Sequence, residues 1–438
     1  MDTVVRTINR TNKPRLYKKK KYTWAYALVI AVLLVAALYI TFVFSPNPFI
    51  TRWREIWITT AMSTWKHQWL ATRFIPGDII DDVMSRLEAA EKANETEDSQ
   101  KPPESLGDDI TIPSQTVPDP EPQLPEPSQP DPGQSSAPVV VPPKEENIFD
   151  RADVKSFLSI YYQIDKNTLP EDFKNWKLDK LQKKNISSLG IKTTAGDPVW
   201  AIDTVNGILI VEVSGKNEDG LPFSGYLAIV KDSSQVFMAM STSPDVGLIG
   251  ANMNKRYDGI LCINANPFID PDGKGRGGYE DVMGLAISQG KVWHEQYGQE
   301  SFQLGGFDRE NNFLVGTKLD ITTLRDAGEF KPVIVKEGKS RVANASFGTS
   351  MQPRSCIGQT NKRETLLMVI DGRGKNGSSG CTVRDEAKIL LKYNAWNVLG
   401  NDGGSSAVMV YDGEVISHPS SVSDNGRNLP NAWVVKKR

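Results

Sequence analysis

Two short stretches of the chain combine a carboxylate with a glycine turn: Asp371-Gly372-Arg373 and Asp402-Gly403-Gly404-Ser405-Ser406. A carboxylate can move a proton, attack carbon or stabilise a developing positive charge. Three arginines lie close to these turns in sequence: Arg354 in "PRSCIGQ", Arg373 itself, and Arg427 in "SDNGRNLPNAW". Guanidinium forks bind phosphate or carboxylate through paired hydrogen bonds, so the set points to chemistry on an anion. Glycine inside a strand pattern marks a close backbone approach, and at Gly403 and Gly404 the N–H groups can point at such an anion. The competing reading is that each Asp-Gly merely caps a turn and the arginines are solvated. Asp412-Gly413 in "VYDGEV" reads that way, as a hairpin turn.

The text around the two acids predicts how they are positioned. Leu366 to Ile370 is a continuous apolar run, the mark of a strand covered on both faces, and it stops at Asp371. A Gly/Ser loop leads to Thr382 with Asp385 three residues on, an approximate capping box. A helical pattern follows from Val383 to Tyr393, with Val383, Ala387, Leu390 and Leu391 inward and Lys388 and Lys392 outward. The next apolar run, Trp396 to Leu399, stops before Asp402. Strand–helix–strand predicts a βαβ unit with parallel strands. Neighbouring strands about 4.8 Å apart would aim both acids into one crevice beyond the carboxyl ends. From Val199 onward short β-branched or apolar runs alternate with turn signals, so residues 147–438 are expected to form an α+β domain on a largely mixed β-sheet with flanking helices.

Other chemistries fit poorly. "GRGKNGSS" lacks the Gly-Lys-Ser/Thr end of a P-loop, and "GGSSA" lacks the second glycine of a nucleophile elbow. His294 and His418 show no Ser–His–Asp logic, so an esterase built on Ser405 has no apparent base. "DPDGKGRGGYED" begins like a calcium loop at Asp270 and Asp272, but Lys274 takes a ligand position and Asp281 replaces the closing Glu. No cofactor is expected, and a divalent cation has no ligand set to support it. Cys262, Cys356 and Cys381 match no zinc spacing; they read as buried thiols, with a Cys262–Cys381 or Cys356–Cys381 bridge as the alternative. The formal net charge of −2 argues against nucleic acid as a partner.

The N-terminal third is organised differently. Residues 1–22 are basic, with a run from Lys18 to Lys21, and residues 23–44 carry no charge. That length crosses a bilayer core of about 30 Å, and the positive-inside rule places the tail in the cytoplasm and the rest outside the cell. A cleaved signal peptide is the alternative, but the stretch ends "FVFSPNPF" rather than in a small-residue cleavage site. Residues 45–93 are a Trp-rich juxtamembrane segment. Trp53, Trp57, Trp65 and Trp69 share a broad helical arc, suited either to an amphipathic helix on the outer leaflet or to a helical hairpin packed on itself. Residues 94–146, including "VPDPEPQLPEPSQPDPG", cannot bury enough apolar surface to fold and read as an extended spacer.

An ordered series of motifs then resembles the phosphodiester glycosidase family over roughly residues 190–437: "CINANPFIDPDGKGRGG", "VMGLAISQGKV", "PRSCIGQ", "VIDGRG", "GCTVRDEA", "NDGGSSAVMV", "SHPSS" and "GRNLPNAWVV". The sequence departs from the family pattern in the Gly400-Asn401 that precedes Asp402, in Asn264-Ala265-Asn266-Pro267-Phe268, and in Gly426 ahead of Arg427. The resemblance implies cleavage of a sugar-1-phosphodiester at the anomeric C–O bond, the sugar being N-acetylated, in envelope or exopolysaccharide glycan metabolism. Asp371 and Asp402 would share the carboxylate duties. Arg354, Arg373, Arg427, Gly403 and Gly404 would hold the phosphate, and Asn264 and Ser405 would orient sugar hydroxyls. The alternative is a non-catalytic envelope module that binds anionic glycopolymers such as teichoic acid.

Overall fold

The computed structural model describes residues 23–62, 69–94, 153–270, 277–295, 302–343, 345, 348–421 and 423–438. The basic tail at 1–22, the Pro-rich spacer and Trp65 lie outside the described residues. The chain divides into two compact units, residues 1–83 and 84–438.

In the first unit, helix α1 (Thr23–Phe44) contains a 19-residue stretch, Tyr26–Phe44, near the N-terminus, that is long and apolar enough to cross a membrane. Helix α2 (Pro48–Met62) follows after three residues, and a short helix spans Trp69–Thr72. The Trp-rich arc is thus carried by two separate helices. Val43, Ile58, Ala71, Ile75, Ile80 and Val83 form its small buried interior.

The second unit is built from three antiparallel sheets. The largest has nine strands, in the order Gln182–Lys184, Val199–Asp203, Ile208–Lys216, Pro222–Val230, Thr365–Ile370, Arg354–Thr360, Ala395–Gly400, Val333–Lys336 and Lys339–Ser340. A five-stranded sheet runs Glu414–Val415, Met409–Tyr411, Gly259–Asn264, Asn431–Lys436 and Val236–Met240. A second five-stranded sheet contains Phe313–Gly316, Gln303–Asp308, Leu324–Phe330, Ala286–Ser288 and Lys291–His294. One apolar core joins all three: Ile208, Leu367 and Leu399 from the large sheet meet Met238, Ile263 and Trp433 from the second and Phe307 and Phe313 from the third.

The α+β class holds, but the mixed sheet does not: every pairing among the described strands is antiparallel. The expected βαβ unit is also modified. Thr365–Ile370 and Ala395–Gly400 do point the same way, but Arg354–Thr360 lies between them and pairs antiparallel with both. Periodicity in one segment carries no information about a strand inserted from elsewhere, so the sequence suggested neighbours where the fold has strands once removed.

Local signals fared well. Thr382 caps the helix Val383–Leu391 through the Asp385 amide at 3.2 Å, and the Asp385 carboxylate accepts from the Thr382 amide at 3.1 Å, closing a capping box. Val383, Ala387 and Leu390 are buried and Lys388 and Lys392 exposed. Asp412 and Gly413 both have positive φ, 51° and 78°, joining strands that pair Tyr411 with Glu414, the geometry of a two-residue hairpin. All three cysteines are free and buried.

Residues 154–203 also belong to this body. Tyr161 is fully buried, and Tyr162 and Gln163 donate to Glu364, which pairs with Lys231 at 2.6 Å; both charged side chains are 3% exposed. Removing one member of such a pair strands a charge in low dielectric, at a cost of roughly 3–5 kcal/mol. Lys231→Met is therefore expected to lower the unfolding free energy by that amount in denaturant titration. A loss under about 1 kcal/mol would show that water reaches Glu364.

Candidate active site

The register of the large sheet brings the two acids to one edge. Arg354 opposes Ile370 and Cys356 opposes Gly400, so Asp371 and Asp402 emerge on either side of the start of the intervening strand. Backbone bonds extend the arrangement past the strand ends. The Asn401 amide donates to Ser355 at 2.7 Å, the Gly404 amide to Pro353 at 2.9 Å, and the Asp371 amide to Ser224 at 2.9 Å. One strand between them sets the two turns about 10 Å apart at the backbone.

Asp402 lies on the seam with the second sheet. Its amide donates to the Ala265 carbonyl at 2.9 Å, and its own carbonyl accepts from Asn264 Nδ2 at 2.5 Å. Asn264 is 1% exposed, and its Oδ1 accepts from the Val408 amide at 3.3 Å. Both ends of that amide hold the Asp402 turn in place, so the expected contact of Asn264 with sugar hydroxyls gives way to a positioning role. Burial pushes the Asp402 carboxyl up to about 6, against the pull of Ser406, Arg427 and Arg373.

Arg373 and Arg427 come from opposite elements, and the charge of each favours the ionised form of Asp402. Arg373 has a φ of 56° and its guanidinium donates to Gln352 Oε1 at 2.9 and 3.1 Å. A methyl group at Gly404, whose φ is +60°, would stand 3.0 Å from Arg373 Nη2. Glycine suits position 404 through its left-handed backbone, and a side chain there would press on the Arg373 guanidinium. Arg427 donates to Ser405 Oγ at 3.2 Å, pairs with Asp270 and stacks 4.5 Å over the Phe268 ring. Arg427, Ser405, Gly404, Arg373 and Asp402 therefore form one connected cluster.

Arg354 does not join it. Its Nε donates to the Cys381 carbonyl at 2.9 Å and its Nη2 to Gly348 and Ser350 carbonyls at 3.1 and 2.7 Å. Its charge faces Glu386 at 4.0 Å, a buried carboxyl that desolvation raises to about 8 despite the arginine. Arg354, the third expected phosphate ligand, is thus tied to backbone carbonyls at Gly348, Ser350 and Cys381.

Asp371 departs from expectation in a more informative way. It is 2% exposed, and both carboxylate oxygens are taken by one residue: Oδ1 accepts from the His418 amide and Oδ2 from His418 Nδ1, each at 2.8 Å. Burial raises its pKa and the His418 hydrogen bonds pull it back down. A carboxylate so enclosed cannot touch a substrate carbon. What it does is hold the imidazole by Nδ1, leaving Nε2 outward on a side chain that is 44% exposed. The His418 loop also reaches the other turn, where Ser420 Oγ donates to the Gly404 carbonyl at 3.2 Å. His418 was set aside in the sequence for want of a serine partner; its signal was the "SHPSS" motif, and the carboxylate it pairs with lies 47 residues away.

The assembled site is a carboxylate flanked by two guanidiniums and a glycine turn, with a carboxylate-oriented imidazole alongside. Chemically, such a set of groups suits an anionic substrate. Residues 257–436, which hold every one of these groups, match the phosphodiester glycosidase family. The chain is 31% identical over 74 residues to the N-acetylglucosamine-1-phosphodiester alpha-N-acetylglucosaminidase of Bos taurus; the match spans 17% of this chain and 14% of the bovine protein. Among solved structures, the zebrafish enzyme of the same name, as a catalytic domain auto-inhibited by its pro-peptide, is similar at 19% identity and a TM-score of 0.45, over 53% of this chain and 83% of that one. A hypothetical protein from Synechocystis is similar at 14% identity and a TM-score of 0.42, covering 57% and 65%.

The raised pKa of Asp402 makes a stability prediction. A carboxyl whose folded pKa lies above its unfolded value destabilises the fold once ionised, so the penalty appears as pH rises from about 4 through about 6. Asp402→Asn is expected to unfold like the wild type at pH 4 and to be more stable at pH 8, by on the order of 1–2 kcal/mol after allowance for solvent reaching the turn. Equal melting-temperature differences at both pH values would contradict this.

Proposed function

We propose that this chain hydrolyses sugar-1-phosphodiesters at the anomeric C–O bond, acting on a phosphate-linked, N-acetylated sugar of an envelope or exopolysaccharide glycan. The observation that carries the reading is that Arg373 and Arg427 both lie against the Gly404-Ser405 turn, where their charges favour an ionised Asp402. The match of residues 257–436 to the phosphodiester glycosidase family supports it. In this reading α1 is a membrane span that holds the catalytic domain outside the cell, and the Pro-rich spacer sets its distance from the surface.

The chemistry follows from the groups present. Arg373, Arg427 and the Gly403–Gly404 amides hold the phosphate and take up the charge that develops on its bridging oxygen as the C1–O bond breaks. Such neutralisation makes phosphate a competent leaving group without a strong acid. The Asp402 carboxylate, ionised above about pH 6, faces the positive charge growing at C1. Ser405 stands beside Arg427 where it can meet a sugar hydroxyl.

His418 supplies the proton transfer. The Asp371 carboxylate accepts from Nδ1–H, and in the neutral ring Nε2 then holds the lone pair. Water loses a proton to Nε2, its oxygen bonds to C1, and the electron pair of the broken bond leaves on the phosphate monoester. Asp371 is then a positioning residue, with the same logic as the aspartate of a catalytic triad. In this proposal Asp402, Arg373 and Arg427 act on the substrate directly, and Asp371 acts through His418.

The test is hydrolysis of a phosphodiester-linked N-acetylhexosamine by the full chain in detergent. Asp402→Asn is expected to lose about 10³-fold or more in kcat, and His418→Ala about 10²–10⁴-fold. Asp371→Asn should fall by a similar factor with KM nearly unchanged, because the imidazole is held in the wrong tautomer. Wild-type kcat/KM should rise as pH increases through about 6. Binding of the phosphodiester with no turnover by the wild type would instead support the glycopolymer-binding module, and an unaltered rate in Asp402→Asn would remove that residue from the reaction.

A further inference from the structure

Helix α2 presents an aromatic ridge that the catalytic reading does not use. Phe49, Trp53 and Trp57 stand at i, i+4 and i+8, on one face of the helix. They are 70%, 50% and 43% exposed, while Ile58 on the opposite face is fully buried. Side chains of this size carry roughly 150–250 Å² each, so the ridge turns on the order of 300 Å² of aromatic surface outward. Exposed apolar patches of that size mark interaction sites.

Two sets of contacts fix the level of this ridge along α1. Arg54 Nη1 donates to the carbonyls of Phe42, Val43 and Ser45 at 3.3, 2.7 and 3.2 Å, so α2 is fastened to the last turn of α1. That turn has carbonyls without helical partners, and a guanidinium satisfies them. The Tyr39 hydroxyl donates to the Phe74 carbonyl at 2.8 Å, and Phe74 is itself 48% exposed. The Trp57 indole donates to the Leu70 carbonyl at 3.1 Å, which keeps its polar edge satisfied while its ring faces out. The ridge therefore sits where α1 ends, beside the apolar side chains of α1 that are exposed from Tyr26 to Ile40.

We infer that Phe49, Trp53 and Trp57 form a lipid-binding surface, seated at the headgroup–acyl boundary of the bilayer that α1 crosses. The inference rests on reading α1 as a membrane span. Indole and phenyl rings favour that boundary because it accepts an apolar body and leaves a polar edge hydrated. Continuity decides for lipid over a protein partner: the ridge is adjacent to a helix whose whole circumference is exposed and apolar, and whatever covers α1 extends over it. Such seating would hold α2 at the membrane surface.

The three native cysteines are buried and in the catalytic unit, so an introduced surface cysteine can be spin-labelled selectively. The full chain would be reconstituted in phosphatidylcholine–phosphatidylglycerol vesicles with a nitroxide at Trp53→Cys, at Phe49→Cys, at Leu34→Cys within α1, or at the exposed Lys388→Cys as an aqueous reference. Collision with oxygen and with a water-soluble nickel chelate reports depth. The expected result is a several-fold excess of oxygen over nickel collisions at positions 49 and 53, intermediate between positions 34 and 388. Labels at 49 and 53 that behave like position 388, with 34 still deep, would overturn the lipid surface and leave the span intact. Labels at 49 and 53 shielded from both reagents would mean that protein covers the ridge and would also overturn it. A label at 34 open to nickel would refute the span, and with it the surface.

Discussion

The antiparallel strand Arg354–Thr360, wedged between the strands that end in Asp371 and Asp402, is the constraint on which the site depends. Its hydrogen bonds to both neighbours give the two acid-bearing strands one direction and bring their ends to one edge. Its presence also keeps the acids a full strand apart. Two carboxylates side by side would share one proton and compete for one substrate atom. Separated as they are, each takes its own environment: Asp371 is enclosed by His418, and Asp402 lies among arginines and glycine backbone.

The second sheet completes what the first begins. Asn264, at the end of Gly259–Asn264, holds the Asp402 carbonyl, and the loop after Glu414–Val415 carries His418 to Asp371 and Ser420 to Gly404. Arg427 arrives just before Asn431–Lys436, a strand of that same sheet. The site thus lies on a seam, and the apolar core shared by Leu399, Ile263 and Trp433 keeps the two sides in register. Arg354 lies near the same edge, donating three hydrogen bonds to the carbonyls of Gly348, Ser350 and Cys381 and facing the buried Glu386 carboxyl at 4.0 Å.

Burial acts differently on the two acids and in a way that suits their roles. Desolvation raises both, but Asp371 receives two hydrogen bonds from His418 that favour its charge, while Asp402 is left near 6, poised between forms close to neutral pH. A partly desolvated carboxylate is costly to the fold, and in the proposed reaction it would face the positive charge that develops next to a departing anion. The fold tolerates it because the turn around Asp402 is fastened at Ala265, Pro353 and Ser355.

What the sequence determined by itself was everything that depends on near neighbours. Leu366–Ile370 declared a buried strand, Thr382 and Asp385 a helix start, Asp412-Gly413 a hairpin, and residues 23–44 an apolar helix, because caps, turns and periodicity are set by residues within a few positions of one another. The carboxylates, Arg373, Arg427 and the Gly-Gly-Ser turn were legible as chemistry for the same reason. Only the tertiary structure decided which of them meet. It placed a strand from residues 354–360 between two that read as partners, turned Asn264 and Arg354 into supports, and joined Asp371 to a histidine 47 residues on. Those outcomes follow from strand pairing and burial across the whole core, where contacts are long-range and no local pattern encodes them.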